Sequence, residues 1–331
     1  MSGQTFGWDL EAWLAAESAF GLPGAEDSFR QVPFYTHGLS RNKTLEDDPL
    51  LSTGLGRAPD ESVEGLPDHG GPMVVPFDLG NLGLYLRGAM GVPATTEDVA
   101  PVGETPGDYT HVFKARSLAL PSHTLIIRRR ADLFDRHTGL MVNGLSGAVA
   151  REGGYRRLNI DFKGATETVL TASGAGTVQA ALTVDRIMGF RGQIRKDGTA
   201  MASVTAASWN FSNNLEPFDA PDQEEPGGYD PGRPGFTGEL TARTTAAGDA
   251  LYALADAGTH FALELVWSLA ANRQIAFRAG RTRLEPSSRT VNGPGGQQVQ
   301  FRFRADPDPE EADGAFLVAT LKNHIASYGL A

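Results

Sequence analysis

The segment "QQVQFRFRA", residues 297–305, alternates apolar and polar side chains, and "YRRLNIDF", residues 155–162, does the same toward its end. A period of two belongs to a strand that packs on one face and is wet, or meets a partner, on the other. Two shorter apolar patterns, "TLIIRR" (124–129) and "QIAFRA" (274–279), read as further strands. Elsewhere the spacing lengthens to that of a helix. Leu79, Leu82, Leu86 and Met90 line one face of "DLGNLGLYLRGAMG" (78–91), and Ala247, Leu251 and Leu254 line one face of "AAGDALYALADAG" (246–258). Gly91 and Gly258 stand where a left-handed residue would end each helix. A third short helix is expected in "DLEAWLAAESAF" (9–20), which offers Leu10, Trp13, Leu14 and Phe20, and "TVQAALTVDRIMGF" (177–190) is expected to be partly helical. Glu152-Gly153-Gly154 reads as a hairpin tip.

These elements recur in the same order. A polar strand ending in Leu-Glu ("GLSRNKTLE", 38–46; "WNFSNNLE", 209–216) leads through a long segment to the short helix, whose Leu-Tyr pair sits seven residues before its glycine in both places. Downstream, "TLIIRR" aligns with "QIAFRA" at a spacing of 150 and "MVNG" (141–144) with "TVNG" (290–293) at 149. "NIDF" (159–162) then aligns with "QFRF" (300–303) at 141, which sets Ile160 on Phe301 and Phe162 on Phe303. The eight-residue jump is assigned to a longer hairpin in the first half, whereas Asn292-Gly293 is expected to form the turn itself in the second. The agreement of order, type and spacing implies an internal duplication. It divides the chain into an N-terminal arm (1–31), a first unit (32–176), a connector (177–192) and a second unit (193–331). Each unit is expected to be a mainly β sandwich or half-barrel carrying one short helix.

Charge changes the picture in two places. The chain carries a formal net charge of −11. Residues 46–68 hold seven acids against Arg57 alone, and residues 216–236 hold six against Arg233 alone, so these two segments carry the whole excess. Rich in proline and glycine, both read as long solvated loops. An acidic chain is a poor binder of phosphate backbones, although nucleic acid could still pass it. There is no cysteine, so disulfides and thiolate sites are excluded. No apolar run of 18 residues occurs, and "MSGQTFGWDLEAW" lacks the regions of a signal peptide, so synthesis in a cytoplasm and no membrane partner are expected.

Candidate chemistry adds little. The seven histidines (His37, His69, His111, His123, His137, His260 and His324) show no i,i+4 pair and read as ordinary strand or surface residues. There is no phosphate loop and no nucleophile elbow. Asp132 and Asp135, in "RRRADLFDRHTG", are expected in a loop among neutralising arginines rather than as paired catalytic carboxylates. No catalytic, cofactor-binding or metal-binding residue is expected, and the chain is read as not an enzyme.

Several pieces taken in order resemble one family. "AESAFG" (16–21) with "VPFYTHGLSRN" (32–42), "GTAMASVTAASWNFSNNLE" (198–216), and "GFTGELTART" (235–244) leading into "LYALADAG" are similar to the major tail tube proteins of long-tailed, siphovirus-like bacteriophages. The resemblance implies a structural virion protein of the tail, whose units lend strands to a closed barrel lining the lumen of stacked rings. It implies as partners other copies of itself, the tape measure, tail terminator and distal tail proteins, and double-stranded DNA that passes without specific binding. It implies no cofactor. Such rings are usually sixfold, so a chain with two units is expected to close a pseudo-sixfold ring as a homotrimer, with a smooth, sheathless tube used for genome ejection. Two alternatives stand beside it. One is a tail completion or baseplate ring protein; the other is a monomeric β-sandwich binding carbohydrate or peptide, a reading weakened by an aromatic content of 8%.

Overall fold

The alternating runs become strands of one large, branched antiparallel sheet system in the computed structural model, which describes residues 6–47, 61–98, 107–219, 221–287, 297–311 and 313–329. The first half runs β1 (Glu11–Ala16), β2 (Arg30–Val32), β3 (Thr36–His37), β4 (Ser40–Asp47), β5 (Ser62–Pro76), helix α1 (Leu82–Met90), β6 (Ala94–Glu97), β7 (Tyr109–Lys114), β8 (His123–Arg130), β9 (Leu133–Ala150), β10 (Arg157–Lys163) and β11 (Thr166–Leu170). The second runs β12 (Gly192–Lys196), β13 (Thr199–Ala200), β14 (Val204–Ser212), β15 (Glu216–Phe218), β16 (Gly228–Asp230), β17 (Gly235–Arg243), helix α2 (Ala246–Asp256), β18 (Phe261–Ala270), β19 (Arg273–Leu284), β20 (Gln298–Asp306) and β21 (Val318–Asn323). Among the described residues the fold is mainly β with two short α-helices. Gly91 ends α1 at φ 88°, Gly258 follows α2 at φ 59°, and the Thr245 hydroxyl accepts from Gly248 N to cap the start of α2.

The two halves pair their strands in the same order. In the first, β8 lies between β1 and β9, β9 continues to β10 and β11, and β10 meets β5, which also meets β3 and β4. In the second, β18 lies between β12 and β19, β19 continues to β20 and β21, and β20 meets β17, which also meets β14. Two ladders join the halves, β9 to β14 and β21 to β7. One apolar core runs through both and takes in Phe162, Phe211, Phe236, Phe277, Phe301, Phe303, Trp209 and Trp267, with α1 on β9 and α2 on β19.

Register refines the correspondence. Ile160 faces Met73 and Phe301 faces Leu240, while Phe162 faces Gly71 and Phe303 faces Gly238, so these residues fall at matching places in their ladders. On the other side Phe162 faces Val142 whereas Phe303 faces Leu284. Leu284, not Val291, therefore holds the place of Val142, and Thr290–Gly293 with its expected turn lies outside the described residues. "TLIIRR" sits in β8, the first strand of its hairpin, and "QIAFRA" in β19, the second strand of the other. Both strands of such a hairpin contain apolar stretches of similar length, so pattern alone could not tell them apart.

Other expectations are corrected. Residues 9–20 form no helix; Gly7–Asp9 is a single 3-10 turn, and β1 is a strand with four consecutive buried residues, Ala12 to Ala15, held between β8 and β2. Residues 177–190 form no helix; they hold isolated bridges at Gln179, Arg186 and Met188 and end in a turn at 189–190. The first acidic segment is partly a strand, because Ser62–Asp68 pairs with β4; the second carries the ribbon of β15 and β16. Asp135 is a buried strand residue bonded to Arg129, while Asp132 in the turn meets Arg130 at 2.6 Å.

Candidate assembly surface and a buried histidine cluster

One path through the sheets runs β4–β5–β10–β9–β14–β17–β20–β19, each neighbour antiparallel. Alternation gives it two unlike faces. One row of its inner face reads Met73, Ile160, Leu145, Phe211, Phe236; another reads Gly147, Trp209, Gly238, Phe303, Leu284. In the second row glycines alternate with large side chains because there is no room for more: a Cβ on Gly147 would stand 3.0 Å from the Trp209 ring, and one on Gly238 2.7 Å from that of Phe303. The opposite face is polar. Its rows are Asn159, Ser146, Asn210, Thr237, Arg304 and Ala148, Ser208, Glu239, Arg302, with Glu239 bridging Arg302 at 3.3 Å.

The seam between β9 and β14 is built around Asn143. A register shift in the β9–β10 ladder leaves Asn143 between Val142, which faces Phe162, and Gly144, which faces Asp161. Freed from the ladder, it makes three bonds: Nδ2 donates to Asp161 Oδ2 at 2.7 Å, Oδ1 accepts from Leu215 N at 3.0 Å, and its carbonyl accepts from Asn213 N at 2.7 Å. Asn213, itself buried, donates from Nδ2 to Val142 O at 2.8 Å and to Ala89 O at 2.9 Å, so it also satisfies a carbonyl at the end of α1. The bulge residue thus ties β9 of one half to β14, the first long strand of the other.

At the far end, β3 and β4 pair only with β5 among the described residues. The Arg41 N–H is instead accepted by Glu167 Oε2 at 3.0 Å. Arg41 and Lys43 also meet Glu225 and Glu224 of the second acidic segment, and Lys43 meets Glu64 of the first at 2.8 Å. The two acidic segments therefore share basic partners. Leu45, Val63 and Leu66, on the projecting part of the β4–β5 hairpin, are exposed apolar residues.

Several histidines have polar neighbours. His111 is bonded at both nitrogens, to Thr95 and to Ile325 O; His260 meets Asp306 at 3.0 Å; His123 Nδ1 meets Leu140 O at 3.3 Å; and His324 lies 3.9 Å from Asp185, its Nδ1, like that of His37, without a hydrogen bond. His69 and His137 differ. Each is 1% exposed, their nitrogens Nε2 and Nδ1 stand 3.0 Å apart, and His69 Nδ1 and His137 Nε2 have no partner. Burial pushes both down to about 4, which keeps them neutral near pH 7. Glu167, the cross-strand neighbour of His137, completes a group whose ligand atoms lie within 4.8 Å of one another. Sequence spacing could not reveal this, because the three residues come from β5, β9 and β11.

No helix among the described residues is long and apolar enough to cross a membrane. No curated protein matches the sequence. A family model described as phage tail tube protein matches residues 7–305. The chain belongs to the phage tail tube protein family, and its role is that of a structural component of the virion tail.

Proposed function

We propose that three copies of this chain close into a pseudo-sixfold ring, and that such rings stack into the conduit of a long, sheathless tail through which the genome leaves the capsid. The observation that carries this reading is the β9–β14 ladder. It sets the sheet of the first half beside that of the second, while β3 and β4, which hold toward β5 the place that β14 holds toward β17, have no such neighbour on their outer side among the described residues. A ring repeats between chains the joint that each chain makes within itself, and closure removes the open edges that would otherwise invite uncontrolled pairing.

On this reading the chain is a duplicated tube fold whose units begin earlier than the sequence pattern implied, at β1 and at β12, with residues 171–191 as connector. The polar face lines the lumen. Hydroxyls and amides make up most of it, Arg302 is set against Glu239, and Arg304 and its cross-strand neighbour Arg283 are cations that a passing DNA backbone would meet, a hold exchangeable enough for the duplex to slide. The exposed Leu45, Val63 and Leu66 contact the next ring, and the tape measure, terminator and distal tail proteins occupy the bore and ends of the tube. Native mass spectrometry of isolated rings tests the stoichiometry. Three chains of 35.2 kDa per ring are expected; six would overturn the trimer, and protein that stays monomeric at every concentration by negative-stain microscopy would overturn the ring itself.

A further inference from the structure

We propose that His69, His137 and Glu167 form a binding site for one divalent transition-metal ion of the zinc class. The site arises from three strands in two sheets: His69 on β5, His137 on β9, and Glu167 directly across from His137 on β11. Neutral imidazoles and a carboxylate are the donor set that such an ion takes, with metal–nitrogen and metal–oxygen distances of about 2.0–2.2 Å. Two nitrogens so bound stand about 3.3 Å apart at a tetrahedral angle. The 3.0 Å between His69 Nε2 and His137 Nδ1 is within a few tenths of that, so the rings need only a small separation to admit the ion. Neither ring is fixed in one tautomer by a hydrogen bond at its other nitrogen, so each can present a lone pair inward. His37 stands by as a further donor, its ring 6.4 Å from that of His137 and its buried Nδ1 without a partner.

The second half of the chain shows that the fold does not need these residues. By register, His69 faces Arg41 where Phe236 faces Phe211, and His137, five residues before Val142, holds the place of Ala279, five before Leu284. Phe236 and Ala279 are both buried, so the same two places form ordinary apolar core there. A pair of buried imidazoles in place of a phenyl ring and a methyl group loses hydration without gaining full hydrogen bonding. Ligation of an ion would engage the two facing nitrogens, His69 Nε2 and His137 Nδ1, together with the Glu167 carboxylate. The surrounding charges permit it: of the two nearby cations, Arg41 is matched by Glu225 and Arg129 by Asp135, leaving Glu167 to balance the ion. The ion would pin β11 and β9 to β5.

Two measurements test the site on the full chain with any affinity tag removed. Elemental analysis after dialysis against zinc, followed by titration with a chromogenic chelator, is expected to give one zinc per chain. The variants His69→Phe and His137→Ala, which copy the residues of the second half and are expected to fold, lose that zinc, whereas His260→Phe and His324→Phe keep it. Cobalt(II) added to the metal-free protein is expected to show the visible absorption of a low-coordinate nitrogen and oxygen site, and that signal disappears in His137→Ala. No stoichiometric zinc, or zinc that survives both core substitutions, would overturn the proposal.

Discussion

Asn213→Ala tests the idea that the join between the two halves rests on a single buried amide. The substitution removes two hydrogen bonds, of 2.8 Å to Val142 O and 2.9 Å to Ala89 O, while leaving the backbone bond from Asn213 N to Asn143 O in place. Each neutral bond contributes about 1 kcal/mol net, and a buried carbonyl stripped of its donor costs about 1–3 kcal/mol, so the loss is about 3 kcal/mol. At about 2.1 cal/mol/K of unfolding entropy per residue, a chain of this length loses about 4 °C in melting temperature if it unfolds as one unit. Scanning calorimetry measures the shift, with Ser208→Ala on the polar face as a control expected to move by less than about 1 °C. Asn213→Asp should be worse than alanine, because a carboxylate would face two carbonyl oxygens. If Asn213→Ala melts within 1 °C of the parent chain, or if Ser208→Ala costs as much, the seam does not rest on this residue.

Two further outcomes are expected. Gly238→Ala would place a Cβ 2.0 Å from Ser208 O and 2.7 Å from the Phe303 ring, so it should destabilise by about 3 kcal/mol or fail to fold, whereas Gly235→Ala, three residues away in open space, should stay within about 1 kcal/mol; equal urea midpoints would refute the packing argument. His123, 2% exposed, is lowered from 6.5 to about 4, mainly by burial and in part by Arg87, so the folded state prefers it neutral. Its contribution is present above pH 6.5 and is lost as pH falls toward 4, about 3 kcal/mol in all, and His123→Gln should show a shallower decline in stability across that range in urea titrations at fixed pH; parallel curves would refute it.

What the sequence made legible was what a single element carries within itself. The period-two pattern of β10 and β20, the helical spacing and terminal glycines of α1 and α2, and the turn at Gly153 and Gly154 are local signals, and each element forms where its pattern lies. Residues 9–20 misled for a physical reason. Ala, Leu and Glu are good helix formers, and Leu10, Trp13 and Leu14 fit a helical face, but the unbroken run Ala12-Trp13-Leu14-Ala15 is buried on both sides between β8 and β2, and pairing overrode propensity. The Val-Asn-Gly match misled differently. In the first half it marks a bulge at a seam, while register gives its place in the second to Leu284, so likeness of letters and likeness of position came apart. The histidine cluster left no trace in spacing, since cross-strand neighbours can lie any distance apart along the chain. The only signal within reach was comparative: His69 and His137 stand where the second half has Phe236 and Ala279, and seeing that requires the strand register.

The covalent link between the halves also changes how the proposed ring would form. A joint within one chain closes at an effective concentration set by a short connector, so the β9–β14 seam forms as the chain folds and does not depend on how much protein is present. Only the seam between chains, at the β3–β4 edge, would then be concentration-dependent, and a trimer has three such seams where six separate units would have six. The two kinds of seam are also free to differ. Asn143 and Asn213 can make the internal one permanent with buried hydrogen bonds, while the edge between chains is flanked by Arg41, Lys43, Glu224 and Glu225, exchangeable charges that suit a surface that must stay soluble before it pairs. On this view, substitutions at the internal seam lower the stability of every chain alike, whereas substitutions at the edge leave the folded chain intact and change only the concentration at which rings appear.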